Sequence, residues 1–311
     1  MRRSLPPLLS LLLAVLLSVD PICGRSLTAA RPTRTAAAAS GLGVNLSLVG
    51  RLVGAGNTLY ASAVDVHNNA PTDVQVDFYL NGVNARTGGA VATAGSISAT
   101  GELVSQGAGS MRGRSNAHYE DLIDSLILRG FLSESLRSDG FLGSMLVVFN
   151  GHSKKGQGGA TVRFYNSLSG GTVGQSLKGR EIGISEPQKL VALARDTRGQ
   201  PGTKLYTNVF VNNLGFTPGG IGASGPVTVR FQAYANSSGQ PTGITLDRTI
   251  DVGQTVGVSD VIHALQVPAS EDTVLVYASV VSGTSAIAGV FVQIDDVTKD
   301  GSTTDMSPAN F

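Results

Sequence analysis

Tryptophan is missing from this chain, and cysteine occurs once, at Cys23. Without Trp, the Cys–Trp–Cys centre of an antibody-type domain is excluded, and the option of a sugar-stacking platform is weakened. Charge is scarce as well. Only 14% of residues are charged, and 23 basic against 22 acidic residues leave a formal net charge of +1. That balance argues against a nucleic-acid binder or a polybasic membrane binder, because both need a concentrated positive field. The four histidines, His67, His118, His152 and His263, are scattered without metal-ligand spacing, and no G-x-S-x-G nucleophile elbow occurs. What is present is a 41% hydrophobic fraction, sufficient for globular packing, and 40 glycines among many Val, Ser and Thr residues. That bias favours short strands and turns over long helices.

The N-terminus reads as an export signal. Arg2 and Arg3 precede an apolar run from Leu8 to Val19 that Asp20 and Pro21 break. At about 12 residues the run is too short to span a bilayer. Cleavage is expected after Gly24 (residues 1–24), or as late as Ala30. The Asp20-Pro21-Ile22 lead-in lacks the small residues of a lipobox, which argues against lipidation of Cys23. The mature part would then carry no cysteine, so packing alone must hold it together. Residues 25–44 read as a lead-in of small residues.

From there the chain repeats itself. Val74-x-Val76-x-Phe78 matches Val227-x-Val229-x-Phe231, both at the period of a half-buried strand. Leu-Tyr strands ending in Asn-Asn precede both, Asn57–Asn69 and Thr203–Asn213. "YEDLIDSL" (Tyr119–Leu126) matches "VSDVIHAL" (Val258–Leu265), followed by Gly143–Gly151 with Thr273–Gly283, and Gly158–Ser176 with Ala286–Asp305. Five segments in one order predict a duplication, with units at 45–183 and 187–311 and a junction at Gly183–Gln188. Each unit is expected to have six or seven short strands and one short helix. The predicted fold class is all-β: two tandem Ig-like (Greek-key) β-sandwich domains, with a jelly roll or another Greek-key sandwich as the alternative.

The pattern resembles exported, mostly uncharacterised bacterial proteins built from such sandwich units. The resemblance rests on Tyr119, Asp121, Leu122, Ile123 and Leu126 in the helix, and on Arg163, Tyr165, Asn166, Gly171, Thr172, Gly174 and Gln175 in a closing hairpin. In the second copy Gln293, Asp295 and Asp296 replace Arg163, Tyr165 and Asn166. The resemblance implies no catalytic activity.

Three stretches invite a chemical reading. Glu120, Asp121 and Asp124 crowd a chain poor in charge, as a metal site or an acid/base pair would. Only Asp121 has a counterpart, Asp260, so the expectation is a helix cap with Glu120 and Asp124 on the solvated side. Asp296, Asp300 and Gly301 fit positions 1, 5 and 6 of a calcium loop, but Thr298 and Ser307 occupy positions 3 and 12, which favours an Asp-Gly turn across Asp295–Asp305. "GHSKKGQGG" (Gly151–Gly159) lacks the ending of a phosphate loop and reads as a solvated hairpin. Asn45 and Asn236 begin N-x-S sequons, relevant only in a eukaryotic host.

The resulting expectation is an exported, non-catalytic structural or interaction protein, secreted, periplasmic or at the cell surface. It has no catalytic, metal or cofactor residues and no membrane span. Its partner is expected to be a cell-envelope protein or polysaccharide rather than nucleic acid. The alternatives are a hydrolase or lyase with dispersed loop acids, or a carbohydrate-binding or adhesin module. A concave cluster joining Glu120, Asp124 or Asp139 to a histidine would favour the enzyme.

Overall fold

The computed structural model describes residues 41–53, 59–168, 171–182, 188–202, 204–217, 220–223, 225–296 and 301–309. The predicted export signal, Cys23 and the Gly183–Pro187 part of the predicted junction lie outside them. The chain is all-β, with short helices only. The first half runs β1 (Gly41–Val53), β2 (Leu59–Asn68), β3 (Gln75–Asn84), β4 (Ala90–Ile97), β5 (Leu103–Val104) and β6 (Ser115–Tyr119). It continues with α1 (Leu122–Leu128), α2 (Leu136–Asp139), β7 (Phe141–Asn150), β8 (Gly158–Leu168), β9 (Gly171–Lys178) and β10 (Arg180–Ile182). The second half runs β11 (Lys189–Arg195), β12 (Leu205–Asn213), β13 (Phe216–Thr217), β14 (Gly220–Ala223), β15 (Val227–Ala235), β16 (Pro241–Ile250) and β17 (Thr255–Val258). It closes with α3 (Val261–Ala264), β18 (Thr273–Ser282), β19 (Ile287–Asp295), β20 (Gly301–Asp305) and β21 (Ser307–Pro308). Both halves thus have more strands than the six or seven expected, and the first has a second helical turn.

The strands form antiparallel sheets, none closed into a barrel. First-half strands make a ten-stranded sheet in the order β5-β4-β3-β7-β1-β2-β8-β9, with β10 on β1 and β6 on β2. β1 belongs to two parts of it. It pairs with β7 from Gly41 to Arg51, across a register shift between Leu46 and Val49, while its other edge pairs first with β10 and then, at Arg51–Val53, with β2. Such a bulge bends a strand and lets it change partners. The second half separates into a five-stranded sheet, β16-β15-β18-β11-β21, and a four-stranded one, β17-β12-β19-β20.

Strand order recurs, and so does register. Val147 pairs with Phe78 on one side and Val44 on the other, and Val44 also pairs with Glu181. In the second half Ala278 pairs with Phe231 and Leu190, and Leu190 also pairs with Pro308. Likewise Val64 pairs with Tyr119 and Val162, while Val209 pairs with Val258 and Phe291. This register sets Asp65 beside Phe210, His67 beside Asn212, Thr161 beside Val290 and Asn68 beside Asn213. It also corrects the hairpin correspondence by one residue. Val292, Ile294 and Asp295 stand where Arg163, Tyr165 and Asn166 stand in the first half.

Core formation follows the period-two pattern. Val74, Val76, Phe78, Val227, Val229 and Phe231 are all buried. In the second half one apolar cluster draws on both sheets, joining Leu190, Val229, Phe231 and Val276 to Val209, Val211 and Ile287. The first-half cluster gathers Leu46, Phe78, Phe141 and Phe149, and it also takes in Phe210 and Val290 of the second half. Because side chains alternate along a strand, β12 sends Val209 and Val211 to its own core and Phe210 across to the first half. Close backbone approach shows at Gly143, where a Cβ would lie 2.1 Å from the Asn81 carbonyl oxygen.

Candidate functional site

The acids of "YEDLIDSL" lie where β6 turns into α1. Asp121 is the N-cap: its extended backbone (φ −130°, ψ 99°) lets Oδ1 accept the Asp124 N–H at 3.0 Å. Leu122, Ile123 and Leu126 are fully buried, so the helix is held by its apolar side. Arg51, from the end of β1, places Nη1 2.7 Å from Asp121 Oδ2. Burial nevertheless pushes the Asp121 carboxyl above its usual range, against the downward pull of the Asp124 N–H and of Arg51.

Asp124 is not merely solvated. Arg137 Nε lies 2.7 Å from its Oδ1, and Arg51 Nη2 lies 3.9 Å away. Glu120 is exposed, and its Oε2 lies 3.2 Å from Nε2 of His118. The other ring nitrogen, Nδ1, lies 2.8 Å from Asp65 Oδ1. These two contacts push the His118 pKa above 6.5, the Asp65 bond foremost. An imidazole held between two carboxylates therefore favours its charged form. It binds as a cation and is a poor proton acceptor. Its side chain is 49% exposed, in the sheet where β6 pairs with β2. Among the described residues, no group of three or more His, Cys, Asp or Glu side chains is arranged to hold a metal ion.

Asp260 departs from the expected cap. It is left-handed (φ 44°, ψ 59°), and its side chain accepts no bond from the first turn of α3. The left-handed backbone turns the carboxylate away from those N–H groups. Instead Oδ2 pairs with Arg198, which also holds Asp196 and lies over the Tyr206 ring at 5.1 Å. The Asp260 N–H donates to Asn208 Oδ1 at 2.8 Å. Both helix-opening aspartates thus meet an arginine, Arg51 from the end of β1 and Arg198 from just after β11, by different local geometry. Val261, Ile262 and Leu265 are buried, as are their first-half counterparts.

The remaining stretches are structural. In "GHSKKGQGG", Ser153, Lys154 and Lys155 are exposed as expected, but His152 is buried. It stacks on Phe149 (6.0 Å, 10°) and meets Asn68 Oδ1 at 2.9 Å through Nε2; burial lowers its pKa. Strand β8 follows the loop, not a phosphate-binding helix. In Asp295–Asp305, residues 301–305 pair with β19 as a hairpin; Thr298 and Asp300 lie outside the described residues. Asn45 is buried and bonded to Ser47, which closes that sequon. Asn68 and Asn213 are buried equivalents: each amide ties the turn after its strand to neighbouring carbonyls. Sequence reading missed Arg51, Arg137 and the Asp65–His118 pair. Their partners lie 70, 13 and 53 residues away, a separation no local pattern encodes.

No protein-family model, curated protein or solved structure matches the chain. No described helix is long and apolar enough to cross a membrane.

Proposed function

We propose that the chain is an exported, non-catalytic structural or interaction protein made of two tandem, Ig-like β-sandwich units, acting in the periplasm or at the cell surface. The observation that carries the duplication is the register: Val147 with Phe78 and Val44, and Ala278 with Phe231 and Leu190. Shared register over several strands is hard to reach by chance, because a one-residue slip would move every side chain to the other face. The absence of chemistry is supported by how the acids are used. Asp121 caps a helix and binds Arg51, Asp124 binds Arg137, and Asp260 binds Arg198. Groups committed to structural partners are poor reactive groups.

Expression in a bacterial host, followed by fractionation and intact-mass measurement, tests export. The mature chain should begin after residue 24 and before about residue 45, the window that the signal-peptide pattern predicts. Recovery of Leu8–Val19, or of lipid on Cys23, refutes that start. Pull-down from a cell-envelope extract then tests the interaction role.

The Asp65–His118–Glu120 array favours one second reading, a hydrolase or lyase. Any hydrolytic or lyase activity that disappears in His118→Gln while the fold is retained would replace the non-catalytic reading.

A further inference from the structure

We propose that the outer face of the five-stranded sheet docks a second copy of this chain, through the outer face of that copy's β6-β2-β8 strands. The proposal rests on the tandem reading above. Within one chain the two halves already make this type of contact. The second half lies against β1 and β3 with its own β12–β17–β19 surface, and β20 meets β9. Phe210 and Val290 enter the first-half cluster, and at Gly253, just before β17, a Cβ would lie 2.6 Å from the side chain of Asn81. The contact is heterologous: one sheet of one unit meets the other sheet of the next.

Each half therefore owns both surfaces, and the chain uses one of each. The pair left over is the β11-β15-β18 face of the second half and the β6-β2-β8 face of the first. The former is built to be covered. Val229, Phe231, Val276 and Ala278 point to the core, so alternation turns Tyr234, Tyr277, Leu275, Val191 and Leu193 outward, where all five are half-exposed. Tyr234 and Tyr277 meet edge to face at 5.0 Å, and Lys189 Nζ lies 4.7 Å from the Tyr277 ring centroid. Rows of aromatic and aliphatic side chains beside a cation resemble the composition of interface centres.

The register names the contact. Asn81 corresponds to Tyr234, and Gly253 corresponds to Arg114; both turn residues are left-handed (φ 77° and 53°), and Arg114 is exposed. Seating a second copy in the intrachain manner brings its Arg114 onto Tyr234, a cation over an aromatic ring. Asp65 and Arg163 replace Phe210 and Val292 on the incoming face, so the contact is more polar than the internal one, reversible and salt-sensitive. A heterologous contact that does not close grows head to tail.

Cysteine cross-linking in the full chain, with Cys23→Ser as background, tests this. Arg114→Cys and Tyr234→Cys are prepared separately, then mixed under mild oxidation. The mixture should give several-fold more disulfide dimer than either variant alone, and sedimentation of the parent chain should show association that weakens as salt rises. Equal self-cross-linking by one variant alone would replace the head-to-tail contact with a symmetric one and overturn the proposal. So would a monomer at every concentration with no mixed dimer. That second result, with both variants folded, would leave the tandem reading intact, because that reading concerns the contact inside one chain.

Discussion

Arg51 Nη1 stands 2.7 Å from Asp121 Oδ2 while Oδ1 of the same carboxylate accepts the Asp124 N–H, so one side chain ties the end of β1 to the start of α1. Removing it breaks both links. Asp121→Ala should lower the unfolding free energy by roughly 0.5–2 kcal/mol through the cap alone. Leaving Arg51 with only the longer Asp124 contact at 3.9 Å adds to that, since the Arg51 side chain is only 14% exposed. Asp121→Asn keeps the cap and should cost less. Asp260→Ala removes no cap, so its loss comes from Arg198 and from placing alanine at a left-handed position. Denaturant titration of the three variants gives the order, and a larger loss for Asp260→Ala than for Asp121→Ala would contradict this account.

Phe78 and Phe231 occupy the same register position, yet their surroundings differ. Phe78 meets Phe131 edge to face at 5.6 Å, an aromatic partner from the loop between α1 and α2. Truncation of either ring to alanine should cost about 3–5 kcal/mol. Phe78→Ala should cost more by about 0.5–1.5 kcal/mol, the usual worth of an aromatic pair. Equilibrium unfolding of both variants checks the magnitude and the order.

Period-two alternation made the V-x-V-x-F strands legible because burial selects every second side chain, and the apolar triplet of α1 was legible for the same reason at helical spacing. The cap at Asp121 was readable from one turn of sequence. What was not readable depended on distance. Arg51 reaches Asp121 only after β1 and α1 have been folded together, and the left-handed backbone of Asp260, which Asp tolerates better than most residues, is not marked by its sequence neighbours. His152 looked solvated because its neighbours Ser153, Lys154 and Lys155 are; Phe149 and Asn68, from two different strands, bury it. The one-residue slip between Arg163 and Val292 escaped notice because the two hairpins share too few side chains to fix their register.

The histidines should titrate in opposite directions. Asp65 and Glu120 raise the His118 pKa above 6.5, so its contribution to stability is fully present below about 6.5 and is lost as pH rises through the folded value. Burial lowers the pKa of His67 and of His152, so their contributions are present above 6.5 and are lost as pH falls through their folded values. NMR titration should place His118 above 6.5 and the other two below. Asp65→Asn should bring His118 down and lower His67 further, because Asp65 also raises His67. An unchanged His118 in that variant would show that the Asp65–His118 bond is not formed in solution.

Phe210 and Asp65 share a register position, but one is buried against the other half and the other faces solvent. Exchanging them tests whether the halves share a core. Phe210→Leu keeps the contact apolar and should cost less than about 1.5 kcal/mol. Phe210→Asp places a carboxylate beside Val290 in the apolar cluster, so its cost should exceed the roughly 3–5 kcal/mol of a Phe→Ala cavity. If the second half can fold alone, calorimetry of Phe210→Asp should resolve two transitions where the parent shows one. The reverse change, Asp65→Phe, falls on an open face and should cost little beyond the lost His118 bond. A melting curve for Phe210→Asp that superposes on the parent would mean that the halves do not share a core in solution, and the shared apolar cluster would have to be abandoned.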